Sequence, residues 1–209
     1  MSIKGVIFDM DGVLVDTEPF YQKQRLEFLR RMDYVPANTE HLIGSNEPAV
    51  WAALVPDISL REKLLMGYRA FRQLHPTPYA RLMNPTAPTL LQCLRTHGIK
   101  IGLASSSVRE SVDNMLFNTG IAGWIDYAVS GEECTAYKPD PEIYHRVLRA
   151  LNLHPEEALA VEDSPIGIAA ARNAGLTVYA LRPSGGLEMD QSAASKVIND
   201  LHEILENII

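Results

Sequence analysis

The sequence predicts an α/β protein in which a parallel sheet carries helices on both faces and a small all-helical segment follows the first strand. Three observations carry that reading. Short apolar-rich runs at 6–8, 100–104, 127–130, 158–161 and 178–181 have the length and composition of strands buried inside a parallel sheet. From about residue 84 onward, helical periodicity alternates with those runs, the pattern of a sheet covered by helices. Between 16 and about 83 only helical pattern is found, so 1–15 and 84–209 are expected to form a core and 16–83 a helical insert.

Val6, Ile7 and Phe8 form the first strand, wholly apolar. Thr17 or Asp16 is placed to cap a helix running to about Arg31, with Tyr21, Phe28, Leu29 and Met32 on one face. A second helix is expected over roughly 46–55, after a turn at Gly44. A third spans about 59–74, where Leu60, Leu64, Tyr68 and Phe71 share a face. Pro76, Pro78 and Pro85 then punctuate the chain. A helix near 86–97 presents Ala87, Leu90, Leu91 and Leu94, and Gly98 suits its C-terminal end. After the strand at 100–104, a helix from about 108 to 118 buries Val108, Val112 and Met115. Ser107 and Glu110 have capping-box spacing at its start. Asp140-Pro141 offers a capping side chain and then a proline, and Ser164-Pro165 repeats the signal before an Ala-rich helix to Gly175. A last helix near 200–208 uses Leu201, Ile204, Leu205 and Ile208.

Composition sets outer bounds. The 209 residues are 46% hydrophobic and 22% charged, enough apolar material for one sizeable domain or a core with a smaller insert. A formal net charge of −7 argues against a broad nucleic-acid or anionic-membrane surface, so any phosphate site must be positive locally. Cys93 and Cys134 lack metal spacing, and Cys93, among Leu90, Leu91 and Leu94, reads as a buried small hydrophobe. No apolar run approaches a membrane span and the N-terminus has no leader pattern, so a soluble, cytoplasmic protein is expected.

The chemistry begins where the first strand breaks into carboxylates at Asp9 and Asp11, followed by Gly12. Side chains two apart on a strand project to the same side, so both acids aim beyond its C-terminal end, where open α/β sheets bind ligands. Two like charges so close are costly unless a cation or shared protons offset them. A calcium loop is excluded: counting from Asp9, the fifth and twelfth positions are Val13 and Phe20, where ligands are required.

Three more groups fall at strand ends or helix starts. Ser105-Ser106-Ser107 reads first as helix capping, yet hydroxyls and amides at a helix start also suit phosphate. Lys138 precedes Pro139-Asp140-Pro141, which fixes the local backbone, so it is a candidate for a held point charge. Glu162-Asp163 directly follows a buried strand. A parallel sheet gathers such ends at one edge, and the oxygens of Asp9, Asp11, Glu162 and Asp163 suit magnesium.

The pattern Asp9-Met-Asp11-Gly12-Val-Leu, then Ser105, then Lys138-Pro139-Asp140-Pro141, then Glu162-Asp163-Ser164-Pro-Ile-Gly167 resembles the haloacid dehalogenase-like hydrolase superfamily. Asp16-Thr17-Glu18-Pro19 is similar to its sugar-phosphate phosphatase and β-phosphoglucomutase branch, in the type with a small helical cap after the first motif. The resemblance implies a Rossmann-like catalytic core, a mobile cap, a Mg2+ cofactor and an aspartyl-phosphate intermediate. It implies Asp9 as nucleophile and Asp11 as acid and base. Magnesium would be held by Asp9, the Asp11 carbonyl and Asp163, with Glu162 directly or one shell out. Ser105, Ser106, Lys138 and the cap glycine Gly44 would bind phosphate or substrate. The second aspartate, absent from true dehalogenases of the superfamily, points to phosphate esters.

The implied activity is that of a phosphoric monoester hydrolase acting as a monomer on small phosphorylated metabolites, with no nucleic-acid or membrane partner. A mutase or a non-catalytic phospholigand-binding module is the alternative. Where the mutase branch carries a cap arginine and lysine, this chain has Glu47 and Leu64, which favours hydrolysis; Arg69 and Arg72 remain as substitute cations. Pro85-Thr86 replaces the usual Pro-Gly at the return to the core, a change confined to a hinge.

Overall fold

Val6, Ile7 and Phe8 offer water nothing polar, and the strand they form, β1 (Gly5–Phe8), is fully buried with neighbours on both sides. The computed structural model describes residues 2–39, 47–184 and 188–208. Beside β1 run β2 (Lys100–Ser105), β3 (Tyr127–Ser130), β4 (Ala158–Glu162), β5 (Thr177–Leu181) and β6 (Lys196–Ile198). All pairs are parallel, in the order β3-β2-β1-β4-β5-β6, with Phe8 level with Leu103 on one side and Val161 on the other. The order reverses at β1, where an open α/β sheet leaves a crevice outside its strand ends.

The alternation of side chains along each strand divides the core into two layers. Val6, Phe8, Ile101, Leu103, Leu159 and Val161 share one cluster with α5 (Ala87–Thr96) and α6 (Arg109–Thr119). Ile7, Ala104, Ala160 and Val178 share the other with α7 (Glu142–Leu151) and α8 (Pro165–Asn173). Helices therefore cover both faces, as the sequence predicts. Among the described residues no helix is long and apolar enough to cross a membrane.

The chain divides into two compact units, Met1–Asp16 with Tyr79–Ile209, and Thr17–Pro78. In the first, the outgoing and returning segments are stitched together. Asp16 donates its N–H to the Leu82 carbonyl, Asn84 to that of Leu14, and Val15 bridges Met83. The short helix α4 (Tyr79–Leu82) lies in this return.

The second unit holds α1 (Glu18–Arg31), α2 (Glu47–Leu54) and α3 (Ile58–Leu74). Its core holds an aromatic cluster among leucines and valines: Trp51 and Tyr68 pack with ring centroids 5.2 Å apart, and Phe28 and Tyr68 at 5.5 Å. Asp57 caps α3, accepting the Leu60 N–H at 2.7 Å.

Several local expectations are corrected. Thr17 stands at the N-cap of α1 without a capping side-chain bond, and Asp16 instead accepts the Ser184 hydroxyl. Met32 falls past the end of α1 and is 51% exposed, and Leu60 is 37% exposed on the first turn of α3. The capping box on α6 does not form. Val108 is its N-cap and 44% exposed, and the Arg109 N–H is capped by Glu132 from the far side of β3. Cys93 is half-buried on the edge of the α5 face. The last segment, Leu201–Asn207, is a 3-10 helix opened by a capping box of Asp200 and Glu203. Two elements carried no sequence signal, β6 and α4, because each is too short to show a period.

Trp51 has essentially no solvent exposure at the centre of the helical unit. Trp51→Ala should cost about 3–5 kcal/mol there, through lost burial and the cavity left behind. Hydrogen exchange should show α1 and α3 losing protection while β1 and β2 keep theirs. Equal loss in both units would mean that they unfold as one.

Candidate active site

The end of β1 is locked before the chemistry starts. Asp9 keeps the strand ladder going by donating its N–H to the Val161 carbonyl, which fixes its side chain at the sheet edge. The chain then turns sharply: Leu14 and Val15 donate back to the Met10 carbonyl, and Gly12 takes φ +81°. That conformation favours glycine, and a Cβ there would overlap the Asp163 carboxylate. Gly12 therefore lets the Asp11 loop and the end of β4 approach each other. Gly167 does the same for Glu162, since a Cβ on α8 would run into its carboxylate.

Lys138 reaches this edge from the loop before α7. Its ammonium lies 2.6 Å from Asp9 Oδ1 and 2.5 Å from Glu162 Oε1, and donates to the Ala104 carbonyl at 3.0 Å. The side chain is only 6% exposed. The loop that delivers it is itself clamped. Glu142 Oε2 accepts from the Thr135 amide and hydroxyl and the Ala136 amide, while Arg146 holds Oε1. The Thr135 hydroxyl, then Arg146 and the Ala136 amide, pull the Glu142 carboxyl down to about 2. Asp140 Oδ1 accepts the Glu142 N–H at 2.9 Å, although α7 starts one residue later than expected, with Pro141 rather than Asp140 at its N-cap.

Glu162 is wholly buried, and its hydrogen bonds are accounted for. Oε1 accepts from Lys138 and from the Tyr144 hydroxyl at 2.6 Å; Oε2 faces the Asp163 N–H at 3.2 Å and the Ser164 hydroxyl at 3.5 Å. Asp163 is held by Gln191, whose Nε2 donates to its carbonyl at 2.7 Å and to that of Leu181. Carboxylate oxygens of Asp9, Glu162 and Asp163 lie within 4.8 Å of one another, a buried all-oxygen cluster of the kind that holds a hard cation.

The charges do not balance, and that decides the electrostatics. Burial pushes the Asp9 carboxyl up to about 8 against the pull of Lys138, with Glu162 and Asp11 adding to the rise. Burial also opposes the Lys138 charge, but Asp9 and Glu162 outweigh it and hold the lysine well above its usual value. The two directions agree: one ammonium stays charged and cannot neutralise every carboxylate, which raises the affinity of Asp9 for a proton. A divalent cation would remove the same surplus. The oxygen donors and the excess negative charge fit magnesium.

Ser105 ends β2 fully buried, and its Oγ accepts the Ser107 N–H at 3.0 Å. Ser106 is exposed beside it, its carbonyl against Gly131. Ser107, expected as a cap, instead donates its hydroxyl to Asp11 Oδ2 at 2.7 Å. Its own carbonyl is held by the buried Ser130 hydroxyl at 2.8 Å. The fold thus brings together Asp9, Lys138, Glu162 and Asp163, and ties Asp11 to the serine turn through Ser107. Gly44 lies outside the described residues.

Sequence reasoning missed Tyr144, Ser107, Ser130 and Gln191. Tyr144 sits on an apolar helical face and reads as core; only its hydroxyl against Glu162 marks it otherwise. Gln191 had no local signal.

A family model described as haloacid dehalogenase-like hydrolase matches residues 6–181. The chain is 30% identical to a phosphorylated carbohydrates phosphatase of Thermotoga maritima, over 97% of this chain and 100% of the relative. It is 27% identical to a phosphoglycolate phosphatase of Aquifex aeolicus, over 99% of each. Its fold is similar to that of a β-phosphoglucomutase from Clostridium difficile, with a TM-score of 0.77 at 22% identity, over 99% of this chain and 97% of the other.

Removing the ammonium while keeping the stem would leave Asp9 and Glu162 facing each other in a buried site. Lys138→Met should lose about 3–5 kcal/mol of stability in chelator-treated protein at pH 8.5. The loss should shrink at pH 6, below the raised Asp9 value of about 8, where a proton on Asp9 relieves the repulsion. Urea titrations at the two pH values measure it, and a loss independent of pH would contradict the charge account.

Proposed function

Because the chain belongs to the haloacid dehalogenase-like hydrolase family, we propose that it is a magnesium-dependent phosphatase of small phosphorylated metabolites, sugar phosphates among them. The observation that carries this is the buried Lys138 ammonium at 2.6 Å from Asp9, a carboxylate held at the sheet edge beside Asp163. That arrangement suits a nucleophile that must meet a phosphoryl group and lose its own negative charge to it. The relatives named as phosphatases span the whole chain and support the same reading.

Asp9 attacks phosphorus, its carboxylate oxygen forming the new P–O bond as the bond to the leaving alcohol breaks. Asp11 gives a proton to that leaving oxygen and then takes one from the water that attacks the aspartyl-phosphate. Inorganic phosphate leaves and the Asp9 carboxylate is regenerated. Ser105, Ser106 and Lys138 hold the phosphoryl oxygens while charge moves from the attacking to the departing side.

Asp9, the Asp11 carbonyl and Asp163 would hold magnesium, which when bound supplies positive charge for the phosphoryl oxygens. Glu162 contributes its charge and keeps Lys138 in place, since both its oxygens already face donors. Residues 16–83 are the cap in this reading, and Gly44 is one of its substrate contacts. Leu64, where the mutase branch has a lysine, is buried in the helical core, which supports hydrolysis over isomerisation.

Two measurements test the reading. Wild type should release phosphate from members of a panel of phosphorylated metabolites with magnesium, and Asp9→Asn should release none while keeping its melting profile. Ligand-induced thermal stabilisation without release from any compound would favour a binding module. The second concerns protons. Burial raises the Asp9 carboxyl to about 8 without a cation, and the ion binds the carboxylate, so binding should expel a proton at neutral pH. Calorimetry at pH 7 in buffers of different ionisation heats should show release approaching one proton, with affinity rising toward pH 8 and levelling above it. Release of none would place the surplus charge elsewhere.

A further inference from the structure

Arg25 lies inside the helical unit at 9% exposure. Among the described residues its side chain makes no hydrogen bond and no ion pair, and its Nε is buried without a partner. Its contact is with the Tyr21 ring, 5.8 Å from the guanidinium carbon to the centroid. Arg72, in the last turn of α3, brings a second guanidinium to the same ring at 5.1 Å, and it too has no carboxylate partner among the described residues. Arg69, the other cation near that helix end, is exposed.

Both arginines also act on Tyr68, whose hydroxyl donates to Gln24 Oε1 at 3.1 Å. Burial raises the Tyr68 pKa, Arg25 and Arg72 oppose the rise, and Glu47 adds to it. Glu47, which also acts on Tyr68, makes no ion pair with either arginine among the described residues. Two cations thus face one tyrosine ring from two helices, and among the described residues neither is ion-paired.

Buried arginines are ordinarily paired, because burial strips the hydration that stabilises the charge. Aromatic faces return part of that loss but leave the planar N–H donors unfilled. A guanidinium offers a fork that matches the two oxygens of a carboxylate or phosphate. We propose that Arg25 and Arg72 form an anion site within the helical unit, which takes the phosphate or carboxylate group of a small molecule. Tyr21 lies under both guanidiniums and supplies one wall of the site. The site rests on the helical unit alone and does not depend on the phosphatase reading. Its ligand is either a second anionic group on the substrate or a separate small anion.

The primary test follows the arginine Nε–H resonances of the full chain while inorganic phosphate is added to chelator-treated protein. The Arg25 and Arg72 signals should shift and saturate, and Arg72→Gln, which alters a half-buried side chain, should abolish the Arg25 response. Signals that stay still, or that shift equally with chloride at the same ionic strength, overturn the proposal. Arg25→Lys, which keeps the charge, should retain a weaker response. This arm needs no turnover, so it stands or falls apart from the phosphatase reading.

Kinetics then distinguish the sources. If the anion is part of the substrate, Arg72→Gln should raise KM for phosphoglycolate by about 10- to 100-fold, as expected for a lost charged hydrogen bond, and leave KM for glucose 6-phosphate unchanged. If both KM values are unchanged while the resonances respond, the site stands and binds a free anion.

Discussion

The ammonium of Lys138 between Asp9 and Glu162 is the contact on which the core site depends. It joins the end of β1 to the end of β4 through a group from a third place in the chain, the loop before α7. Such a contact is costly to bury and stable only when every partner is in place. The structure supplies them: Ala104 accepts from the lysine, Tyr144 from α7 donates to Glu162, and the Glu142 clamp fixes the loop. The balance still leaves negative charge in excess, and that excess suits the site to a proton or a cation.

Close approach is the second constraint, and two glycines meet it. Gly12 and Gly167 stand where any side chain would overlap Asp163 or Glu162. The parallel register aligns β1 and β4 so that Asp9 follows Phe8 just as Glu162 follows Val161, its level partner. Sheet geometry therefore sets the separation of the carboxylates, and the glycines allow the neighbouring loop and helix to close around them.

The helical unit follows a different logic. Its core sets the rings of Phe28, Trp51 and Tyr68, with Phe71 packed at their edge, among Leu29, Val50, Leu54, Val55 and Leu64. Aromatic walls tolerate cations at their faces, which is how α1 and α3 can hold Arg25 and Arg72 against Tyr21 without a carboxylate. The same composition that stabilises the unit leaves it with charge to spare, of the sign opposite to that of the core cluster.

Much was legible from local pattern. The five longer strands, the helices over 18–31, 47–54, 58–74 and 87–96, and the gathering of acids and Lys138 at one sheet edge follow from periodicity and parallel topology, which are short-range or generic. What the sequence left open depends on where side chains end up across long separations. Ser107 looked like a cap because hydroxyls before helices usually are caps, yet Asp11, 96 residues earlier, accepts its proton. Tyr144 looked like core because its ring is core; only folding put its hydroxyl against Glu162. Arg25 drew no reading from the sequence; packing enclosed it. Backbone preference and burial are encoded residue by residue, so the sequence alone determined the five longer strands, the helical segment and the acids that gather at the sheet edge. Which donor meets which acceptor, and which charge goes unpaired, exists only once the chain is folded, and the tertiary structure decided both.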